Sequence, residues 1–530
     1  MSVNLFNIQE KNKLIITFAI GLILIIVFAS FLPSLKNDFV NWDDDVFIIN
    51  NKLIKELSWE NIGRIFTSPQ QDLYKPIVFL VFALEYHFFK LNPFFYHLIN
   101  LIFHLANSLL VFWLIFLITD KTGVAFITAL LFGVHPLRVE SVVWVCQLKD
   151  MLCGFFFLWA LVLYLYYRKS NFLRYYYLAL FSFVLSLLSK PMGLALPFVL
   201  LAVEYLKNYR LKYWDKVPFL FLSVGILMFN VIFNGFSVNS EWKSLKSFLL
   251  VPYQINFYLG KVLIPLKLSC LYPPPIKTGA LWPPSVLFSP ILLFFLAAAV
   301  LFSLRYTRKI VFGSLFFLLL LSPVLFSHAY GTYVVADHFT YLTLIGIFFM
   351  FAEGFFWLYR QKIASLPVIR ISLLLIPFLV IGILSYLTWE RCEVWKDSVT
   401  LWSDVLKNCP NAKTAYKNRG SANALEENFK QAIFDFNRAI YLDPGDSTLY
   451  VNLGNAYASN DNFARAFYSY NEALKIDPKN GEAYYNRAVA YLLKKEYNNA
   501  WQDVYNAEKL GWEVNPGFLE ELKKVSGRKK

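Results

Sequence analysis

The sequence predicts an all-α protein in two parts, a polytopic bundle of transmembrane helices followed by a soluble helical solenoid. Three observations carry this. The 530-residue chain is 57% hydrophobic and 19% aromatic, with a mean hydropathy of +0.48, too apolar for a wholly soluble protein. Its long apolar runs stop near residue 390, and charged residues are frequent from there on. In that polar remainder Pro410, Pro444 and Pro478 recur every 34 residues, the period of a helix-turn-helix repeat. The expected domains are 1–388 and 389–530.

A helix crosses a bilayer with about 20 apolar residues. Lysines and arginines fall in short clusters between the apolar runs: Lys11 and Lys13; Arg168, Lys169 and Arg174; Lys207, Arg210, Lys212 and Lys216; Arg305, Arg308 and Lys309; Arg360, Lys362 and Arg370. Placing every cluster in the cytoplasm predicts spans at 14–33, 95–118, 122–138, 150–167, 174–188, 192–206, 217–236, 285–304, 309–327, 341–359 and 371–388. The N-terminus is then inside and the C-terminus outside. The same clustering accounts for the net charge of +14 without nucleic acid as a partner. Residues 74–90 form a helix that cannot cross without inverting everything downstream, so they are expected at the outer surface, with 58–66 as a second such helix. Residues 248–270 read as an interfacial or re-entrant segment, or as a pair of short spans.

This topology gathers the polar breaks on one face. Outside lie Asp43, Asp44 and Asp45 within NWDDDVFIINN, the segment HPLRVES at 135–141, Gln147, Lys149 and Asp150, SKPMG at 189–193, YPPP at 272–275 and ADHFTYL at 336–342. Carboxylates are costly in hydrocarbon, so they belong at the water-facing mouth. Cations there hold a phosphate and a carboxylate takes a proton, which suits an anionic lipid headgroup and a neutral polar acceptor. Plain structural readings stand beside this one: a solvated loop for the aspartates, a helix cap for Lys149 and Asp150, a span boundary for Lys190–Pro191.

The polar remainder reads as tetratricopeptide repeats at about 413–446, 447–480 and 481–514. The central one carries Tyr450, Leu453, Gly454, Tyr457, Ala466, Tyr470, Ala473 and Pro478. Its neighbours match at Tyr416, Gly420, Ala432, Phe436 and Ala439, and at Tyr484, Ala488, Tyr491, Ala500 and Ala507. A partial repeat leads in at Trp402, and 515–524 closes the stack. Such stacks bind extended peptides along the first helices. There Asn418, Arg419, Asn452, Asn486 and Arg487 recur near mid-helix, where amides suit a peptide backbone of any sequence; simple solvation is the other reading. The five cysteines are expected as free thiols. If one helix joins Cys392 to Cys409 they stand about 25 Å apart. CxxC, HExxH, P-loop and GxGxxG patterns are missing, so zinc hydrolysis and nucleotide-driven transport have no support.

FVNWDDDVFIINN, YKPIVFL, FGVHPLRVESVVWVCQLKDML, SKPMGLALPFVLL, YLGKVLIPLKLSCLYPPP and ADHFTYLTLIGIF occur in that order. Together with the repeats, they resemble the transmembrane and tetratricopeptide-repeat-containing proteins and their bacterial relatives, within the GT-C superfamily of glycosyltransferases, from about Asp38 to Lys524. The resemblance implies a transferase that moves a sugar, mannose in the eukaryotic members, from a polyprenyl-phosphate carrier to a Ser or Thr hydroxyl of a protein at the outer face. It implies inversion by in-line displacement, with Asp43 as general base and Asp44 as the second choice. Lys190, Lys149, Arg138 and His135 are the candidates for holding the phosphate. No cofactor is required, and a carboxylate-held divalent ion is compatible with the site. One departure stands out: relatives commonly read ADRYTYLP where this chain has ADHFTYLT, which puts His338, a weaker and pH-dependent cation, in place of an arginine. Conversely, Arg138 stands where relatives often have histidine. The expected location is a bacterial cytoplasmic membrane with the repeats in the periplasm. The alternatives are a non-catalytic membrane-anchored scaffold and, more distantly, a lipid-linked sugar flippase.

Overall fold

The computed structural model describes residues 10–69, 74–234, 249–275, 282–325, 334–361 and 366–528. Every regular element among them is helical. The chain divides into two compact units, Met1–Lys396 and Asp397–Lys530.

In the first unit a helix stands at each segment expected to span. Five are long and apolar enough to cross a membrane: Lys13–Lys36, Pro93–Thr119, Val145–Ser170, Pro284–Ser303 and Ile371–Val394. The pair Thr122–Val134 and Pro136–Val143, bent by 59°, makes a sixth if counted as one broken span. Leu173–Ser189, Leu196–Leu206, Arg308–Leu321 and Ile345–Tyr359 are shorter, at 17, 11, 14 and 15 residues. These shorter helices lie at expected spans 174–188, 192–206, 309–327 and 341–359. The His135–Pro136 step ends the helix of expected span 122–138 at Val134, and Pro191 opens a 3-10 turn, Pro191–Ala195, ahead of Leu196–Leu206. The far ends of expected spans 217–236 and 309–327, and Lys362, lie outside the described residues. Residues 76–89 form a helix, as do 59–67 and 250–263.

Several buried polar groups inside this bundle are paired, which a low-dielectric interior favours. Tyr341 Oη is shared at 3.0 Å by His104 Nδ1 and by Asn107, whose amide also donates to Met151 O at 3.0 Å. His104 Nε2 donates to Gly133 O at 2.9 Å. The Arg308–Leu321 and Ile345–Tyr359 helices cross at Gly313 and Gly346, where a Cβ on either would strike the other's backbone. Several of the basic-cluster side chains meet buried carboxylates: Lys216 lies 2.5 Å from Glu204, which Arg168 also contacts, and Lys309 lies 2.6 Å from Glu353.

The second unit stacks helices Lys413–Leu425 and Phe429–Leu442, Ser447–Ser459 and Phe463–Ile476, then Gly481–Leu493 and Tyr497–Lys509. Ser398–Asn408 precedes them and Pro516–Ser526 closes the stack. Each turn between paired helices uses one left-handed residue, Glu427, Asp461 and Lys495, with φ of 60°, 59° and 62°. Within a repeat the helices touch where the residue is small. A Cβ on Gly420 would fall 2.9 Å from the Phe436 ring, and one on Gly454 2.5 Å from Tyr470. All five cysteines are free thiols.

Candidate active site

The aspartate loop is built from its backbone. Asn37 Nδ2 donates to Cys392 O at 2.9 Å, and Asp38 N to Lys396 O at 2.8 Å. Asp43 then takes φ of 76°, a left-handed conformation that is uncommon for a residue with a Cβ. Its carbonyl accepts the N–H groups of Val46 and Phe47 at 3.1 and 2.9 Å, which starts the single turn Asp45–Ile49. Strain of this kind, held by surrounding contacts, is typical of functional loops.

The two aspartates are not equivalent. Asp44 is buried, and its carboxylate accepts Val40 N–H at 3.0 Å and Cys146 N–H at 3.1 Å. It thereby ties this loop to the Val145–Gln147 turn. Burial pushes its pKa up to about 7, while the bonds from Cys146 and Val40 and the charge of Asp43 act as smaller corrections. Asp43 is exposed. Its pKa is raised by partial loss of solvent and by Asp45, with Lys149 and Lys75 pulling it down.

Two lysines, Lys149 and Lys75, act on Asp43, and a third, Lys190, lies close to both of them. Lys149 enters the Leu148–Ser170 helix and lies 5.4 Å from the Trp144 ring, which stacks between Trp42 and Trp395. Lys190, at the end of Leu173–Ser189, is buried in an ion pair with Asp150. Lys75, just before Pro76–Phe89, shares with Lys149 a cleft also lined by Phe47, Val78, Phe79, Phe82 and Cys146. Burial and the charges of Lys149 and Lys190 drive the Lys75 pKa well down. Sequence reasoning missed Lys75, although its Lys-Pro step repeats that of Lys190–Pro191.

The other predicted phosphate ligands have different partners. Arg138 is fully buried: it donates to Thr340 O at 3.0 Å, to Thr340 Oγ1 at 2.8 Å and to Tyr341 O. It braces the ADHFTYL loop from behind instead of presenting its charge to a ligand. His135 donates from Nε2 to Val262 O at 3.1 Å and accepts Leu137 N–H at Nδ1, so it too is spent on the fold. His338 meets Glu140, with Nδ1 2.9 Å from Oε1 and its own N–H 3.2 Å from Oε2. Burial, reinforced by Lys190, holds its pKa well below the ordinary histidine value, and Glu140 occupies its Nδ1. Beside it Asp337 accepts the Tyr272 hydroxyl at 3.0 Å, and burial next to Glu140 pushes its pKa up to about 8.

In the repeats Asn418, Asn452 and Asn486 occupy equivalent, half-buried positions on successive first helices. The side chains of Asn452 and Asn486 make no hydrogen bond among the described residues. Arg419 and Arg487 have partners within the stack. Each forms a forked pair with an aspartate, Asp435 at 2.9 and 2.7 Å and Asp503 at 2.7 and 2.8 Å, and reaches the preceding helix at Ser403 or Asn471. They staple the stack. Among the described residues no group of three or more His, Cys, Asp or Glu side chains converges as a metal site.

Sequence models of the tetratricopeptide repeat match residues 414–446, 447–480 and 469–502. A protein O-mannosyl-transferase of Caenorhabditis elegans is 26% identical over 449 residues, covering 80% of this chain and 63% of that protein. Protein O-mannosyl-transferase TMTC3 of Mus musculus is 26% identical over 486 residues, covering 81% of this chain and 51% of its own length. TMTC1 of Mus musculus, of the same printed name, is 34% identical over 152 residues, 26% of this chain and 15% of that protein. The chain thus spans less than two thirds of the length of these relatives. It is a multi-helix membrane protein with tetratricopeptide repeats, related along four-fifths of its length to protein O-mannosyl-transferases of the transmembrane and tetratricopeptide-repeat-containing family.

Proposed function

We propose that the chain is a membrane glycosyltransferase that moves a mannose-like sugar from a polyprenyl-phosphate donor to a protein hydroxyl. The observation that carries this reading is the meeting of an exposed, backbone-strained aspartate with a lysine-lined cleft beside the apolar bundle. Asp43 is the general base and Asp44 holds the loop, because Asp44 spends both oxygens on backbone N–H groups. The acceptor hydroxyl loses its proton to Asp43 as its oxygen attacks the anomeric carbon from the face opposite the phosphate. The phosphate leaves as an anion that is stable at neutral pH without protonation, so cations serve its added charge and neither a general acid nor a metal is required. Lys149 is the predicted ligand that keeps this role. Lys190 holds Asp150, which steadies the helix start that carries Lys149.

The repeats recruit the acceptor through the amide ladder Asn418, Asn452 and Asn486. The basic clusters orient the bundle so that the aspartates and the repeats share the outer side, the periplasm in a bacterium. The test is transfer from a radiolabelled polyprenyl-phosphate sugar to an outer-compartment protein by the purified chain. Label that reaches protein in the wild type but not in Asp43→Asn supports the reading. Undiminished transfer by Asp43→Asn removes the base from it.

A further inference from the structure

The cleft between the start of the Pro76–Phe89 helix and the start of the Leu148–Ser170 helix has an unbalanced charge. Lys190 is matched by Asp150. Lys75 and Lys149 both line the cleft, and among the described residues no carboxylate lies within ion-pair distance of either. The remaining walls are Phe47, Val78, Phe79, Phe82 and Cys146, which offer no anionic side chain. Two ammonium groups in an apolar recess are costly unless an anion joins them. Asp150, already paired with Lys190, and the exposed Asp43 act on them only at longer range.

We propose that Lys75 and Lys149 together form the seat of the departing lipid phosphate, charged for its dianionic monoester form in preference to the monoanionic diester of the donor. This rests on the transferase reading above. In the step itself the acceptor oxygen bonds to the anomeric carbon and its proton passes to the Asp43 carboxylate. The bond from anomeric carbon to phosphate oxygen breaks, and its electron pair stays on that oxygen. A phosphodiester carries one negative charge, and the monoester released carries nearly two at neutral pH. An interaction that grows with the leaving group's charge accelerates the chemistry instead of merely tightening donor binding. Burial and the charges of its lysine neighbours pull the Lys75 pKa down, and an anion placed between the lysines opposes both effects. The same charge match makes the released lipid phosphate a strong product inhibitor.

The test compares two inhibitors on the detergent-purified full chain, a short-chain polyprenyl phosphate and its methyl diester. The monoester is expected to inhibit at least about tenfold more tightly. Lys75→Gln should erase most of that ratio and lower kcat, with the donor KM moving less than about threefold. Lys75→Arg, which keeps the charge, should retain the preference. Equal inhibition by the two lipids in the wild type overturns the proposal, as does a Lys75→Gln variant that raises KM alone. Binding of radiolabelled polyprenyl phosphate reads the site without turnover. Binding that Lys75→Gln weakens about tenfold supports the seat even if no sugar is transferred, an outcome that would sink the transferase reading alone. Absence of binding to the folded wild type overturns the seat itself.

Discussion

Exchanging each of the paired aspartates for asparagine separates two roles that adjacent positions and like chemistry conceal. Asp43→Asn removes the base from an exposed side chain whose carbonyl, not its carboxylate, holds the turn. Turnover should fall by about 10²–10⁴ with the fold undisturbed. Asp44→Asn acts elsewhere. One amide oxygen replaces two carboxylate oxygens, so either the Val40 or the Cys146 N–H loses its acceptor in a buried setting, at a cost of roughly 1–3 kcal/mol. A pH effect accompanies this. The Asp44 pKa is raised from 3.8 to about 7 in the folded chain. A raised pKa contributes stability that is fully present below the unfolded value of 3.8 and is lost as pH rises through about 7. The shift corresponds to at most roughly 4 kcal/mol. The wild type should therefore lose stability from pH 4 to pH 7, and Asp44→Asn should flatten that slope. The assays are label transfer for turnover and thermal unfolding in detergent across that pH range. If Asp43→Asn retains full transfer while Asp44→Asn abolishes it with its unfolding curve unchanged, the division of roles is refuted.

Further expectations concern the repeats and the topology. Arg419→Ala leaves Asp435, which is fully buried, without its cation and with only the Asn423 and Gln431 amides as donors, and should destabilise the repeat unit by about 3–5 kcal/mol. The double change Arg419→Leu with Asp435→Ser, which copies Leu453 and Ser469 of the central repeat, should recover most of it in denaturant unfolding. Asn452→Ala with Asn486→Ala should weaken modification of a full-length protein acceptor while a short generic acceptor is turned over normally; equal loss of both would assign these amides to the fold. A reporter active only outside the cytoplasm should work when fused after Lys530 and stay silent after Lys169, and the opposite pattern would move the aspartates to the cytoplasm.

Helix positions were legible because burial in lipid needs long apolar runs, and the repeats because a 34-residue period leaves Gly420, Gly454 and Ala488 in register. The break inside expected span 122–138 was not legible in the same way. Run length alone does not say that Pro136 ends that helix at Val134, whereas the boundary at Lys190–Pro191 was readable. Asp43, Lys149 and Lys190 were readable as polar breaks between apolar runs, whereas Lys75 was hidden as a single cation ahead of a helix read as interfacial. The roles of Arg138, His135 and His338 were not readable from residue type. A buried cation can meet a phosphate or a carbonyl, and only the fold brings Thr340 and Tyr341 to Arg138 or Glu140 to His338. Arg419 and Arg487 carried a readable signal that went unused. Asp435 and Asp503 follow each by 16 residues, and the central repeat lacks both members of the pair.

The most direct test of the transferase account is single-turnover transfer from radiolabelled polyprenyl-phosphate mannose to a protein acceptor by the purified full chain. The account predicts labelled protein, release of polyprenyl phosphate in equal amount, and loss of both in Asp43→Asn. Folded protein that binds its acceptor through the repeats yet transfers no sugar from any polyprenyl-phosphate donor would contradict it and leave a membrane-anchored scaffold in its place.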